Sequence, residues 1–267
     1  MAYFCNTQKI IHAMSISLNE FFNLDSHCVE VDEKEYKCAD VYVDAARAFA
    51  RNYHIPVFVV DFCKKEFTYV SGSELSFLTG LTTEQFRNME HNIFLDFIPE
   101  EENEMVLDIL RNSFKLFYSF QIEERKDLVL SYFHHLESGN KKRLINNRVT
   151  PLRLTSDGKL WLAMCTFSIS SRKEPGHVVM KKHNDIDYFI YSLDKHIWYH
   201  REGIVLTLEE KDILRMSSQG YTMKEIAFSF NKSEDTIKAY KRHLFAKLGV
   251  RNITEAVFAA INYDMLN

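Results

Sequence analysis

Closely spaced helix starts in the last quarter of the chain constrain its fold more than any other feature. A short polar residue is followed three positions later by glutamate at three places. In this arrangement the first side chain accepts a hydrogen bond from a free backbone N–H, and the glutamate bonds back toward the first residue. Ser233, with Thr236, marks a fourth start. The pattern predicts four short helices. The three pairs are Thr207 and Glu210, Thr222 and Glu225, and Asn252 and Glu255.

The helix predicted to begin at Ser233 has an apolar face and a basic face. At roughly 100° per residue, Ile237, Leu244 and Leu248 fall on the inner side, flanked by Tyr240. Long cations beside alanines suit a helix that enters a DNA major groove, because alanine permits close approach while cations reach bases or phosphates. The four helices together therefore predict a helix-turn-helix DNA-binding domain. The outer face comprises Asp235, Lys238, Ala239, Arg242 and Ala246.

The charge of the chain is unevenly distributed. The protein has 267 residues and a formal net charge of -4, yet residues 232–251 hold six basic and two acidic side chains. That segment is net positive inside an acidic protein. A phosphate backbone responds to local charge, so the negative total does not argue against DNA binding.

The starts of the second and third helices are predicted phosphate sites, because free N–H groups and the positive end of the helix dipole lie there. Gly220 is predicted to end the first helix in a left-handed conformation. The predicted DNA-binding residues are Thr222, Lys224, Ser233, Thr236, Lys238, Ala239, Tyr240, Arg242 and Lys247.

Residues 206–260 resemble the LuxR-type helix-turn-helix domain of bacterial transcription regulators. The shared register includes a leading Leu-Thr, Lys-Glu-Ile-Ala in the second helix, Lys-Leu-Gly-Val after the third and Glu-Ala-Val near the end. Glu209 stands where the family usually has a basic residue, and Tyr240 where it usually has histidine. The resemblance implies double-stranded DNA as a partner.

The resemblance also implies that the fourth helix mediates dimerisation. Ile253, Ala256, Val257 and Ala260 form an apolar stripe at helical spacing. Phe258 and Ala259 fall on the other side. We expect them to contribute to a homodimer interface, although a single surface phenylalanine is also common in monomers.

The first 203 residues divide into three predicted segments. Residues 1–53 contain two predicted helices, 8–22 and 39–52, which either pack within their own domain or dimerise. Residues 54–173 hold two strands, short helical pieces, a long helix at 101–121 and three more strands. Residues 174–203 form a hairpin extension and linker, separated from the preceding sheet by Pro175 and Gly176. The C-terminal domain then spans 204–267.

The order of elements in 54–173 predicts an antiparallel sheet with helices on one face. The segments VFVVDF and FTYVS, and the run from Phe94 to Glu101, resemble a PAS domain. The predicted fold class is therefore α+β, a PAS-like sheet joined to an all-α LuxR-type domain. Pro151 lies inside one predicted strand and indicates a bulge, an interruption or an edge there.

Other sensor classes fit the N-terminal half less well. Asp61 ends an apolar strand, as the phosphoacceptor of a receiver domain does. A receiver also needs an early acidic pair and alternating strands and helices, and the sequence shows neither. An acyl-homoserine-lactone pocket is expected to use tryptophan early in the chain, whereas Trp161 and Trp198 occur late. Both classes are disfavoured.

No cofactor is assigned from the sequence. A flavin-reactive sensor would need a cysteine in an Asn-Cys-Arg-Phe motif, which is missing. Haem remains open through His91 or the pair His134–His135, although single histidines of this kind are usually ordinary surface or core residues. The alternatives are a cofactor or small-ligand sensor, or a platform for protein interaction and dimerisation alone.

Enzymatic activity is not expected. Asp61 with His54, or Glu137 with His135, could be drawn as acid–base pairs, but such neighbours are common by chance. No nucleophile elbow, metal-ligand set or phosphate-binding glycine loop accompanies them.

The sequence predicts a cytoplasmic protein without membrane association. Its five cysteines form no CxxC pair, which is typical of a reducing compartment. It contains no signal pattern and no run of 18 apolar residues.

Overall fold

The computed structural model describes residues 21–22, 30–80, 95–170, 172–262 and 265. The chain divides into two compact units, Met1–Arg201 (unit 1) and Glu202–Asn267 (unit 2). Unit 1 combines a sheet with helices and unit 2 is helical, so the predicted α+β class is confirmed. None of the helices in these ranges is both long and apolar enough to cross a membrane.

Unit 1 is built on one antiparallel sheet of eight strands in the order β2-β1-β5-β4-β3-β6-β7-β8. The alternating and apolar runs recognised in the sequence form these strands, with ends within a few residues of those predicted. The strands are β1 Val57–Asp61, β2 Glu66–Val70, β3 Leu128–Ser138, β4 Lys141–Leu154, β5 Leu160–Ile169, β6 Val178–Lys182, β7 Tyr188–Ser192 and β8 Ile197–Arg201.

The helices of unit 1 largely follow the predicted pattern. The predictions for 39–52 and 101–121 correspond to α2 and α4, whereas the one for 8–22 lies outside the described residues except for Phe21 and Phe22. Single 3₁₀ turns precede α4 at Leu95–Phe97 and Glu100–Glu102. The helices are α1 Glu33–Tyr36, α2 Ala39–Tyr53, α3 Gly72–Thr79, α4 Asn103–Ser119 and α5 Ile122–Arg125.

The strand β1 is buried along its whole length. Val60 lines a partly open cavity together with Leu110 of α4. Asp61, the next residue, accepts a hydrogen bond from the Tyr36 hydroxyl of α1. Since successive side chains of a strand point to opposite faces, both faces of β1 are covered.

The segment 174–203 was predicted to be separate from the preceding sheet, and this prediction was wrong. Strand β6 pairs with β3 from Leu128 to Tyr132, so β6, β7 and β8 extend the same sheet. Gly176 adopts a φ of +84° and its N–H donates to the Phe133 carbonyl at 2.8 Å, which brings the chain back beside β3. The bulge indicated by Pro151 is confirmed as a register shift between Pro151 and Arg153 in an interior strand.

Arg125 ties the end of α4 to the hairpin between β4 and β5. Its guanidinium donates to the carbonyls of Phe120 at 3.0 Å, Gly158 at 2.8 Å and Tyr118 at 3.0 Å. Gly158 sits in the predicted Asp-Gly turn with a φ of +78°. The turn therefore also serves as a contact surface for α5.

Unit 2 contains the four predicted helices around a small apolar core. Its most buried side chains include Ile213, Ile226, Ile237 and Leu244. The predicted left-handed conformation of Gly220 is confirmed by a φ of +86°. The helices are α6 Leu208–Ser218, α7 Met223–Ser229, α8 Glu234–Leu248 and α9 Ile253–Asn262.

We predict that Gly158→Ala destabilises unit 1 more than Gly139→Ala does. Both glycines have left-handed backbone, but an added Cβ at Gly158 would lie 2.7 Å from Ile122 Cγ1 and 2.9 Å from Arg125 Nη1, whereas at Gly139 it meets nothing within 4 Å. The extra cost should be about 1–3 kcal/mol. Urea unfolding followed by tryptophan fluorescence measures it in the full chain, because both tryptophans lie in unit 1.

Equal destabilisation by the two substitutions would contradict the tight contact at Gly158. The cost would then come only from the left-handed backbone that both positions share.

Candidate nucleic-acid interface

The first two helices of unit 2 begin at the predicted capping boxes. The Thr207 hydroxyl accepts from the Glu210 N–H at 3.2 Å, and the Glu210 carboxylate accepts from the Thr207 N–H at 2.8 Å. Thr222 and Glu225 repeat this exchange at 3.3 and 2.7 Å. The bonds made by Thr222 lower the pKa of the Glu225 carboxyl. Both helix starts are thus fixed by local sequence.

The starts of α8 and α9 are also capped, with one departure from the prediction. Ser233 accepts from the Thr236 N–H at 3.2 Å, and Asn252 accepts from the Glu255 N–H at 2.9 Å. Glu255 does not reach the backbone of Asn252; it accepts instead from the Asn252 side-chain amide and from the Arg251 N–H, each at 2.9 Å. The cap extends one residue further upstream than the sequence pattern indicates.

The two predicted faces of α8 are confirmed. Ile237 and Leu244 are fully buried, and Leu248 is half-buried. Every residue of the predicted outer face is exposed, and Lys238 contacts Asp235 at 3.1 Å in an exposed ion pair. An exposed pair of this kind contributes little to stability, so Lys238 can exchange it for another anion.

The other predicted DNA-binding residues differ in how far they are exposed to solvent. Thr222, Lys224 and Ser233 are exposed at helix starts, while Thr236 is half-buried and Tyr240 is 38% exposed beside the core. Lys241, next to the outer face, is partly buried, and this burial lowers the pKa of its ammonium.

Lys247 has a partner inside unit 2. Its ammonium lies 2.6 Å from the carboxylate of Glu210, and His243 approaches the other oxygen at 3.7 Å. Burial raises the pKa of Glu210, but the Lys247 hydrogen bond and the Thr207 N–H outweigh that effect and lower it. Glu210 therefore joins the start of α6 to the end of α8. The sequence identified its cap but not this second contact, because the two residues are far apart in the chain.

Several apolar side chains are exposed in the described part of unit 2, among them side chains of α9 and α7. Phe258 of α9 is 37% exposed, its neighbour Ala259 is half-buried, and Ile261, which the sequence analysis did not single out, is 59% exposed. Phe228 of α7 is 90% exposed and was likewise missed. Adjacent exposed apolar groups on α9 offer a larger contact surface than Phe258 alone.

Comparison with known proteins places unit 2 in a recognised class. Residues 204–260 match the family described as bacterial regulatory proteins, luxR family. The chain is 40% identical over 53 residues to the transcriptional activator protein BglJ of Escherichia coli (strain K12), covering 20% of this chain and 24% of BglJ. It is 40% identical over 60 residues to the uncharacterized transcriptional regulatory protein YhcZ of Bacillus subtilis (strain 168), covering 22% of this chain and 28% of YhcZ.

The chain thus spans about a quarter of the length of these relatives. Among solved structures it is similar to the phage VqmA–DPO complex, with 17% identity and a TM-score of 0.32, over 87% of this chain and 92% of that one.

Unit 2 has the helix-turn-helix fold, in which α7 and α8 form the two helices of the motif. It is a LuxR-type helix-turn-helix domain.

We predict that Glu210→Ala destabilises unit 2 more than Glu225→Ala. Both glutamates close a threonine capping box, but only Glu210 is buried and paired with a lysine. Removing it leaves the Lys247 ammonium without its partner, at a cost of about 1–3 kcal/mol. Amide hydrogen exchange of peptides from residues 204–262, measured on the full chain, reports the protection lost. If Glu225→Ala loses more protection than Glu210→Ala, the pairing of Glu210 with Lys247 does not add to the stability that the caps supply.

Proposed function

We propose that the chain is a bacterial transcriptional regulator that binds DNA through unit 2. The helix α8 would lie in the major groove of double-stranded DNA, with Lys238 and Arg242 contacting base edges or phosphates. The observation that carries this proposal is the outer face of α8, where every residue is exposed while Ile237 and Leu244 are buried.

The helix starts supply phosphate contacts. Thr222 and Ser233 cap α7 and α8 at exposed positions, and Lys224 is exposed in the first turn of α7. Backbone N–H groups at helix starts bind phosphate oxygens and so fix a protein on the duplex without reading its sequence. Lys247 would act mainly through Glu210, by holding α8 in place.

A dimer would recognise a roughly palindromic site. Two copies of α8 would then enter successive major grooves, so that the two-fold symmetry of the protein matches that of the DNA. The exposed groups of α9, Phe258 and Ile261 with Ala259 beside them, are the proposed contact between the copies.

Unit 1 is proposed to be a PAS-like regulatory domain. Its first hairpin, long helix and last three strands occur in the order that the resemblance implies, and β5 returns beside β1. Two roles compete for unit 1: a platform for protein interaction and dimerisation alone, or a sensor of haem, flavin or another small ligand. A partly open, mostly apolar cavity beneath α4 favours the sensor. We place the protein in the cytoplasm, where a regulator of this type meets DNA.

The DNA contacts are tested with fragments that the full chain selects from genomic DNA. Lys238→Ala and Arg242→Ala should each weaken binding to the selected site by about 1–3 kcal/mol if the side chain contacts a base. Affinity is measured by fluorescence anisotropy on the selected site and on unrelated duplex, across several salt concentrations.

Two variants with the same loss of charge serve as controls. Lys224→Ala should weaken selected and unrelated duplexes equally and reduce the salt dependence of binding. Arg215→Ala removes a cation paired with Asp212 on α6 and should change neither. Wild-type affinity in both α8 variants would refute the placement of α8 in the groove.

The dimer is tested by Phe258→Glu. Burying one phenylalanine contributes about 1.5–3 kcal/mol, so a charge at this position in both copies should weaken dimerisation at least ~10-fold. Leu208→Glu, which alters an apolar residue that is 76% exposed on α6, is the matched control. Sedimentation equilibrium measures the dimerisation constant of the free protein and of the protein bound to the selected DNA. If Phe258→Glu leaves both constants unchanged, α9 is not the interface.

A further inference from the structure

The helix α2 packs on the sheet by one narrow side and leaves large apolar side chains exposed on another. Ala39, Ala46 and Ala50 are its buried residues, and the helix lies against β1 and β2. Val41 is 68% exposed and Tyr53 is 60% exposed. A helix whose apolar residues extend beyond its buried side has surface left for a second contact.

The exposed apolar residues of α2 lie on one side of the helix. At roughly 100° per residue they fall within an arc of about 140°, beside the buried alanines. Two exposed alanines lie in this arc, and the ring of Phe49 lies 4.6 Å from the ring of Tyr53. Asn52 is a polar residue in the same arc, within the last turn. We call this surface the α2 face; it comprises Val41, Ala45, Ala48, Phe49 and Tyr53.

A row of charged residues borders the α2 face and is divided by sign along the helix. Asp40 and Asp44 lie in the first half of α2, whereas Arg47 and Arg51 lie in the second half, and all four are exposed. Asp44 and Arg47 contact each other at 2.6 Å, with 69% and 48% of their side chains exposed. A pair this exposed contributes little to stability, so either residue can exchange its partner at small cost.

This distribution of charge fits a second copy of α2 that runs in the antiparallel direction. The acidic half of each helix then lies beside the basic half of the other, whereas a parallel pair would place residues of equal number, and so of equal charge, at the same height. In a two-fold antiparallel pair centred on Arg47, residues whose numbers add to 94 lie at equal height. Asp44 then lies within about 1.5 Å of the height of Arg51 in the second copy.

The same arrangement matches small side chains to large ones. Val41 lies at the height of Tyr53 in the second copy, and Ala45 lies at the height of Phe49. A small side chain opposite a ring allows two helices to approach to the usual distance of about 8–10 Å. The α2 face is therefore complementary to itself both in size and in charge.

We propose that the α2 face binds the α2 face of a second copy, as an antiparallel helix pair with two-fold symmetry. This rests on the proposed function only in taking the chain to be a dimer, and it adds a contact in unit 1 to that of α9. A 15-residue helix is about 22 Å long and about 10–12 Å wide, so the pair alone does not bury the ~1,200 Å² of a stable interface. The α2 contact thus strengthens a dimer that is also held elsewhere.

Val41→Lys tests the apolar part of the α2 face. It removes an exposed valine and places a cation beside the basic half of the second copy, so dimerisation of the full chain should weaken at least ~10-fold. Ile186→Lys is the matched control, because Ile186 is a branched residue of unit 1 that is 54% exposed and lies outside α2. Sedimentation equilibrium without DNA measures both variants, and equal dimerisation constants would overturn the proposal.

Charge reversal tests the direction of the pair. Asp44→Arg and Arg51→Asp should each weaken dimerisation at least ~10-fold, because each sets like charges side by side at both symmetric contacts. An equimolar mixture of the two variants should dimerise again, since both contacts of the mixed dimer join an arginine to an aspartate. Mixing cannot rescue a variant that has merely lost its fold. A mixture that dimerises no better than its components would overturn the antiparallel pairing.

Phe258→Glu separates this contact from the one proposed for α9. Combined with Val41→Lys it should weaken dimerisation by about the product of the two separate effects, because the two sites share no partner. A loss caused by Val41→Lys alone would leave the α2 pair standing and refute the α9 interface. A loss caused by Phe258→Glu alone would do the reverse, and neither result depends on DNA binding by unit 2.

Discussion

The pairing of β5 with β1 is the interaction on which unit 1 depends. It joins chain segments that are far apart, with Val57 opposite Thr166 at one end and Asp61 opposite Leu162 at the other. Without it, β1 and β2 would be an isolated hairpin, which is marginally stable in water. The contact continues past both ends of β1, since Phe167 donates to the Pro56 carbonyl and Phe62 to the Trp161 carbonyl. The same pairing creates the sheet face that α4 covers, and hence the cavity.

Local features of the sequence were sufficient for unit 2 and for most element boundaries. A capping box needs only residues three apart, which is why Thr207 and Thr222 identified their helices correctly. The contact between Glu210 and Lys247 and the pairing of β6 with β3 depend on chain segments brought together by folding, and both were missed. The cavity was beyond sequence analysis for a related reason, because an unfilled volume depends on how side chains from α4 and five strands meet.

The basic face of α8 shows why total charge is a poor guide to the partners of this chain. Glu210, an acidic residue, stabilises the helix that carries the proposed DNA contacts, because its carboxylate holds Lys247 and caps α6 at once. Asp235 contacts Lys238 at an exposed position and can be displaced without a large cost. Glu210 thus positions Lys247 rather than opposing the basic face.

Glu210 in unit 2 and the residues Ser113 and Asn147 in unit 1 are buried polar groups in opposite states. In unit 2 the Glu210 carboxylate, which is only 9% exposed, bonds to Lys247 and to the Thr207 N–H, so the geometry of α8 is fixed in the protein alone. In unit 1 the Ser113 Oγ and Asn147 Oδ1 atoms are buried and have no hydrogen-bond partner among the residues that the structure describes, which raises the free energy of the fold. Burial of a polar group thus stabilises a fold only where the fold also supplies its hydrogen-bond partner, as it does at Glu210.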